Sequence, residues 1–77
     1  MVLCVGISKN WVEGIFNGIS YRYKKVYYTG EDDKTDGLTA GFVKVKQDVP
    51  QLKVGCQFEP IYNQYGKLQR IDIYEDR

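Results

Sequence analysis

Between Tyr21 and Tyr28 the chain reads Tyr-Arg-Tyr-Lys-Lys-Val-Tyr-Tyr, which puts four of its seven tyrosines and three positive charges into eight consecutive residues. Aromatic rings interleaved with Lys and Arg on an extended strand suit a surface that stacks bases while its charges follow a phosphate backbone. The same residue types are good strand formers, so the alternative is an ordinary β-strand with a wet, charged face. Two other segments carry the same chemistry. In residues 38–47, Val43 and Val45 share one face while Phe42, Lys44 and Lys46 share the other, and Tyr62 and Tyr65 flank a turn followed by Lys67 and Arg70. The candidate nucleic-acid contacts are therefore Arg22, Tyr23, Lys24, Lys25, Tyr27, Phe42, Lys44, Lys46, Tyr65, Lys67 and Arg70.

Other chemistries find little to work with. The chain has no histidine, no nucleophile-elbow serine, no phosphate-cradling glycine loop, and no clustered carboxylates outside residues 31–36, so no catalytic site is expected. That acidic run, Glu-Asp-Asp-Lys-Thr-Asp, lacks the ligand spacing, central glycine and terminal glutamate of a calcium loop and reads as a solvated segment. Cys4 and Cys56 have no Cys-x-x-Cys partner and can make at most one disulfide. They are read as small apolar core residues, and neither a metal nor a cofactor is expected. The apolar start, Met-Val-Leu-Cys-Val-Gly-Ile, is too short for a signal sequence or a membrane span, so a cytoplasmic protein is expected.

The net charge of +1 averages over segregated patches. Residues 31–36 carry −3 and residues 72–77 carry −2, which leaves +6 on everything else. A polyanion responds to the local field of such a patch more than to the total.

The elements that must position these residues are β-strands. Tyr, Val, Ile and Thr are abundant, glycines punctuate at short intervals, and no window carries a long apolar stripe of period 3.6. Residues 1–8 form a first strand, with Gly6 as a bend or bulge, and residues 11–16 continue it or make a short second piece. Asn17-Gly18 supplies the two positive φ angles of a type I′ turn, which predicts a tight hairpin into a long strand from Ile19 to about Thr29. In that strand Ile19, Tyr21 and Tyr23 face one way and Ser20, Arg22 and Lys24 the other. The Lys24-Lys25 pair is expected to break the alternation. Residues 30–37 form a polar, acidic, mobile loop. After the strand at 38–47, Pro50 restricts residues 48–53 to a connector. Strands at 56–62 and 67–74 follow, joined by a turn in which Gly66 takes the positive φ, with Leu68 or Ile71 and Ile73 facing the core. Phe16, Phe58 and about half of the tyrosines are expected to be buried.

Counting the bent first strand as one gives five strands in a single domain over residues 1–77. This is the strand order of a small OB-like barrel, with an SH3-like barrel or an open antiparallel meander as alternatives. In an OB barrel the second and third strands and two of the loops line the ligand groove, where the three aromatic-cationic segments would converge.

From residue 38 onward the chain resembles a known family. A strand with lysines, a Val-Gly turn into Phe58-Glu59-Pro60-Ile61, and then Asn63-Gln64-Tyr65-Gly66-Lys67-Leu68-Gln69-Arg70-Ile71-Asp72-Ile73 look like the C-terminal half of small phage and plasmid single-stranded DNA-binding proteins of the OB type. The helix-destabilising proteins of filamentous phages have a similar aromatic-glycine hairpin. The resemblance covers roughly half the chain and implies cooperative, sequence-tolerant coating of single strands, often by dimers. The reading from a different class is a protein-interaction module, such as a phage or plasmid adaptor or inhibitor. Its partner would be met through Trp11 or the acidic segments, because Tyr and Trp also favour protein interfaces.

Overall fold

The structure, a computed structural model, describes residues 1–74. The described residues are all-β, with six antiparallel strands: β1 (Val2–Ile7), β2 (Val12–Phe16), β3 (Ile19–Gly30), β4 (Thr39–Val45), β5 (Gln57–Tyr62) and β6 (Leu68–Tyr74). None of them forms a helix that is long and apolar enough to cross a membrane. The acidic C-terminal run read from the sequence lies partly at 75–77, outside the described residues.

The long strand β3 organises the sheet. Its first half, Ile19–Tyr23, pairs with β2, and its second half pairs with β1 on one edge and β4 on the other. β1 also pairs with β5, and β5 pairs with β6. β1 and β2 pair with successive segments of β3 and act as one bent strand. The bend is visible as a register shift between Cys4 and Gly6 and as the unpaired stretch before Val12. The expected bulge next to Gly6 is therefore present. The expected break at Lys24-Lys25 is absent, since the β3–β4 register runs without interruption from Lys24 to Gly30. The extra residues lie on the β1–β2 side, so β3 keeps its alternation throughout.

Turn chemistry closes both hairpins as the sequence predicts. Asn17 and Gly18 have φ of 51° and 76°, the left-handed pair that a type I′ turn requires. Gly66 has φ 77°, and the Asn63 side-chain oxygen accepts hydrogen bonds from the backbone N–H groups of Tyr65 and Lys67 at 2.9 and 3.0 Å. A register shift after Ile61 moves Leu68 onto the face of Ile71 and Ile73, so all three pack on the core.

The core sits beneath one face of the sheet and is built from Cys4, Val26, Val43, Val45, Leu52 and Phe58. Tyr28 meets Phe58 edge to face, with ring centroids 6.1 Å apart. A fully buried aromatic of this kind contributes about 3–5 kcal/mol against truncation to Ala, which makes Phe58 the largest single anchor. The sequence places Phe16 and about half of the tyrosines in the core, whereas Phe16 lies at the far end of the β2–β3 hairpin, 71% exposed, and no tyrosine is fully buried. β2 has its main packing on β3 rather than on the core, so the hairpin extends as an arm from a molecule measuring 42 × 27 × 19 Å.

The sheet is open rather than closed into a barrel. β4 and β6 approach one another without a hydrogen-bonded ladder between them. The connector adds to the core: Leu52 is buried in it and Val49 packs against it. The acidic segment 31–38 is exposed, while Gly30 belongs to β3. Within the loop the Asp32 carboxylate accepts the Lys34 backbone N–H at 2.8 Å.

Candidate nucleic-acid interface

Unbroken alternation along β3 sorts its side chains onto two faces. Val26 and Tyr28 point to the core, so Tyr21, Tyr23, Lys25 and Tyr27 line the opposite, outer face. On β4 the same rule buries Val43 and Val45 and turns Phe42 and Lys44 outward. The ladder pairs Tyr27 directly with Phe42 and Lys25 directly with Lys44.

The contacts on this face form a chain. Tyr21 and Tyr23 stack, with centroids 6.2 Å apart and planes at 21°. The Lys44 ammonium lies over the Tyr23 ring at 4.7 Å, and the Lys25 ammonium lies over the Phe42 ring at 4.8 Å. Tyr27 meets Phe42 at 5.9 Å with a tilt of 54°. The two facing lysines thus rest on aromatic rings, and among the described residues neither pairs with a carboxylate, so their charge is open to an external anion. Tyr21, Tyr27 and Phe42 are exposed, while Tyr23 and Lys25 are partly covered by their neighbours.

A glycine across the strand makes room for the Tyr21 ring, while a second one faces Tyr27 without being needed for space. Gly14 stands opposite Tyr21 and Gly6 opposite Tyr27. A Cβ at Gly14 would collide with the Tyr21 ring and hydroxyl, and one at Gly6 would come to 3.6 Å from the Tyr27 ring. The same device recurs on the core face, where a Cβ at Gly41 would stand 2.9 Å from the Tyr28 hydroxyl. The sequence contains this signal as glycines at strand positions facing aromatics, but it becomes legible only once the register is known.

Five of the eleven sequence-predicted contacts therefore gather on one face: Tyr23, Lys25, Tyr27, Phe42 and Lys44. Tyr21 joins them. Arg22 and Lys24 occupy the other face of the arm with Trp11, the Arg22 guanidinium 3.9 Å and the Lys24 ammonium 5.0 Å from its ring. There Arg22 also pairs with Glu13 at 3.3 Å, an exposed bridge directly across the hairpin. Lys46 is exposed just beyond the end of β4.

Tyr65, Lys67 and Arg70 belong to the β5–β6 hairpin, with Tyr65 fully outward at its turn. Arg70 donates to Asp72 at 3.2 Å, and Glu59 faces Asp72 across the ladder. The Tyr74 hydroxyl donates to Glu59 at 3.0 Å, and this hydrogen bond together with the Glu59 charge pushes the Tyr74 pKa up. The exposed face of that hairpin is therefore locally acidic, and Arg70 is occupied.

No cluster of metal-ligating side chains occurs among the described residues. The β2–β3 tip carries an apolar group that the sequence reading did not single out as exposed: Ile15, Phe16 and Ile19 are 75%, 71% and 72% accessible. In comparisons with known proteins, no family model matches the chain, and neither a curated protein nor a solved structure matches it.

Proposed function

We propose that this protein binds single-stranded nucleic acid, with DNA favoured, and does not cleave it. The observation that carries this reading is the continuous outer face Tyr21–Tyr23–Lys25–Tyr27 on β3 with Phe42 and Lys44 on β4. Three tyrosines and a phenylalanine give bases something to stack on, at about 1–3 kcal/mol per base. Two lysines seated over the rings follow the phosphates and add a salt-dependent term. A row of aromatic rings with interleaved cations tolerates any base sequence, because every base has a π-face.

The strand order supports an OB-type architecture for this surface. With β1 and β2 taken as one bent strand, the order is β4, β3, β1, β5, β6, the neighbour order of an OB barrel left open between its third and fifth strands. In such folds the second and third strands carry the ligand face, and here these are β3 and β4. The Asn17-Gly18 and Asn63–Gly66 turns then correspond to the two loops that flank the groove, which keeps Tyr65 and Lys67 as candidate rim contacts.

Titration of fluorescein-labelled oligo-dT at low salt tests the reading. Saturable binding that weakens as salt rises supports it, and no binding at tens of micromolar protein ends it.

The exposed apolar tip of Ile15, Phe16 and Ile19 favours a second reading, a protein-interaction module. Pull-down from lysate with and without nuclease separates the two. A partner retained after nuclease supports the module, and one lost supports nucleic acid.

A further inference from the structure

Cys4 and Cys56 occupy facing positions on β1 and on the segment that leads into β5. The ladder pairs Val2 with Phe58 and Leu3 with Gln57, and just beyond it Cys4 faces Gly55 and Cys56 together across a bulge in which Gly55 takes φ 96°. Two backbone hydrogen bonds fix the juxtaposition. The Cys4 N–H donates to the Cys56 carbonyl at 2.9 Å, and the Gly55 N–H donates to the Cys4 carbonyl at 2.8 Å. Neighbouring strands lie about 4.7–4.9 Å apart, inside the roughly 4.4–6.8 Å between Cα atoms that a disulfide spans. Both cysteines are free thiols, Cys4 buried and Cys56 half-buried against the same core. Burial pushes the Cys4 thiol up, and the neighbouring Cys56 thiol adds to this.

We propose that Cys4 and Cys56 form a reversible intramolecular disulfide that clasps β1 to the end of the connector. This rests on backbone geometry and is independent of what the outer face binds. Cys56 is the more accessible thiol and reacts first. Its thiolate attacks one sulfur of a small disulfide such as oxidised glutathione, whose S–S bond breaks and releases one glutathione thiolate. Cys4 then loses its proton to water and attacks the Cys56 sulfur, forming the Cys4–Cys56 bond and expelling the second glutathione thiolate. Two protein thiols are oxidised while one small disulfide is reduced to two thiols. Access requires only local opening at the exposed Val54-Gly55 turn. The bond would close a loop of about fifty residues, so the oxidised chain has a smaller unfolded ensemble and melts higher.

The test uses the full chain, equilibrated folded in glutathione buffers of graded oxidising strength. Samples are quenched in acid, unfolded, alkylated with iodoacetamide and weighed. The expected species is a monomer two hydrogens lighter than the reduced chain that takes up no alkyl group. Its melting temperature should lie roughly 10 °C above that of the reduced form, a difference that dithiothreitol abolishes and Cys56→Ser lacks. Full alkylation of both cysteines after oxidation overturns the proposal, as does accumulation of only mixed or intermolecular disulfides. If Cys56→Ser fails to fold, the wild-type mass measurement decides the matter by itself.

Discussion

Tyr27 and Phe42 stand directly opposite one another across β3 and β4, with ring centroids 5.9 Å apart, and both rings are exposed. A cross-strand aromatic pair normally stabilises a sheet by covering a core. This pair lies on the other face, flanked by Lys25 and Lys44, where burial contributes little to the fold and the rings remain open to a ligand. The candidate interface is centred on it.

Phe42→Ala and Tyr23→Ala should each weaken oligo-dT binding by roughly five- to a hundredfold, the cost of about one lost base stack. Neither ring belongs to the buried core, so the far-ultraviolet circular dichroism spectrum should be unchanged. Anisotropy titration of each variant beside the wild type checks both points.

Lys25 and Lys44 are directly paired like charges, an arrangement that costs the sheet a fraction of a kcal/mol up to about 1 kcal/mol. Lys44→Ala should therefore leave stability unchanged or slightly raised while binding weakens. The slope of log K against log salt should fall by roughly 0.7, the share of one phosphate contact on a single strand. A salt series with urea melts on the same preparation measures both.

Gly14 and Gly41 each face a tyrosine, and only the one at Gly41 lies against the core. Gly41→Ala sets a Cβ 2.9 Å from the Tyr28 hydroxyl and 3.1 Å from the adjoining ring carbon. Tyr28 in turn packs on buried Phe58, so the variant should lose about 1–3 kcal/mol of stability by overpacking. Gly14→Ala displaces Tyr21 on the solvent-facing arm. It should cost less than about 1 kcal/mol and lower oligonucleotide affinity instead. Chemical denaturation of the two variants separates these outcomes.

Stability should decline at alkaline pH. Burial raises the Cys4 thiol pKa, burial with Tyr28 nearby raises the Tyr62 pKa, and the hydrogen bond to Glu59 raises the Tyr74 pKa. Each group ionises less readily folded than unfolded. The stabilisation is therefore complete below the unfolded pKa, near 9 for the thiol and 10 for the phenols, and is lost as pH rises through the higher folded values. Melting temperatures under reducing conditions should be level to about pH 8.5 and fall beyond it. In Cys4→Ala the fall should begin later.

Much of this arrangement was legible in the sequence, and the misses have physical causes. The strands and both turns followed from alternation and from Asn17-Gly18 and Gly66, whose backbone demands are local. The outward Phe42 and Lys44 followed from Val43 and Val45 between and beside them. At Lys24-Lys25 local reasoning failed, because two adjacent charges look like a break while the compensating extra residues sit across the ladder near Val5 and before Val12. Once β3 runs unbroken, Tyr21 and Tyr23 fall in line with Lys25 and Tyr27, and Arg22 and Lys24 are separated from them. Phe16 is exposed despite its hydrophobicity, because hydrophobicity says nothing about how far a hairpin reaches beyond the core. The missing ladder between β4 and β6 and the burial of Leu52 are tertiary outcomes that no local pattern encodes.

The central claim is that the β3–β4 outer face takes up the nucleic acid. Aromatic ring resonances followed by nuclear magnetic resonance during addition of unlabelled oligo-dT test it most directly. Upfield stacking shifts should appear for Tyr21, Tyr23, Tyr27 and Phe42, while buried Phe58 and core-facing Tyr28 stay in place. Shifts confined to Tyr65 and Tyr74, or no shifts at saturating oligonucleotide, would contradict it.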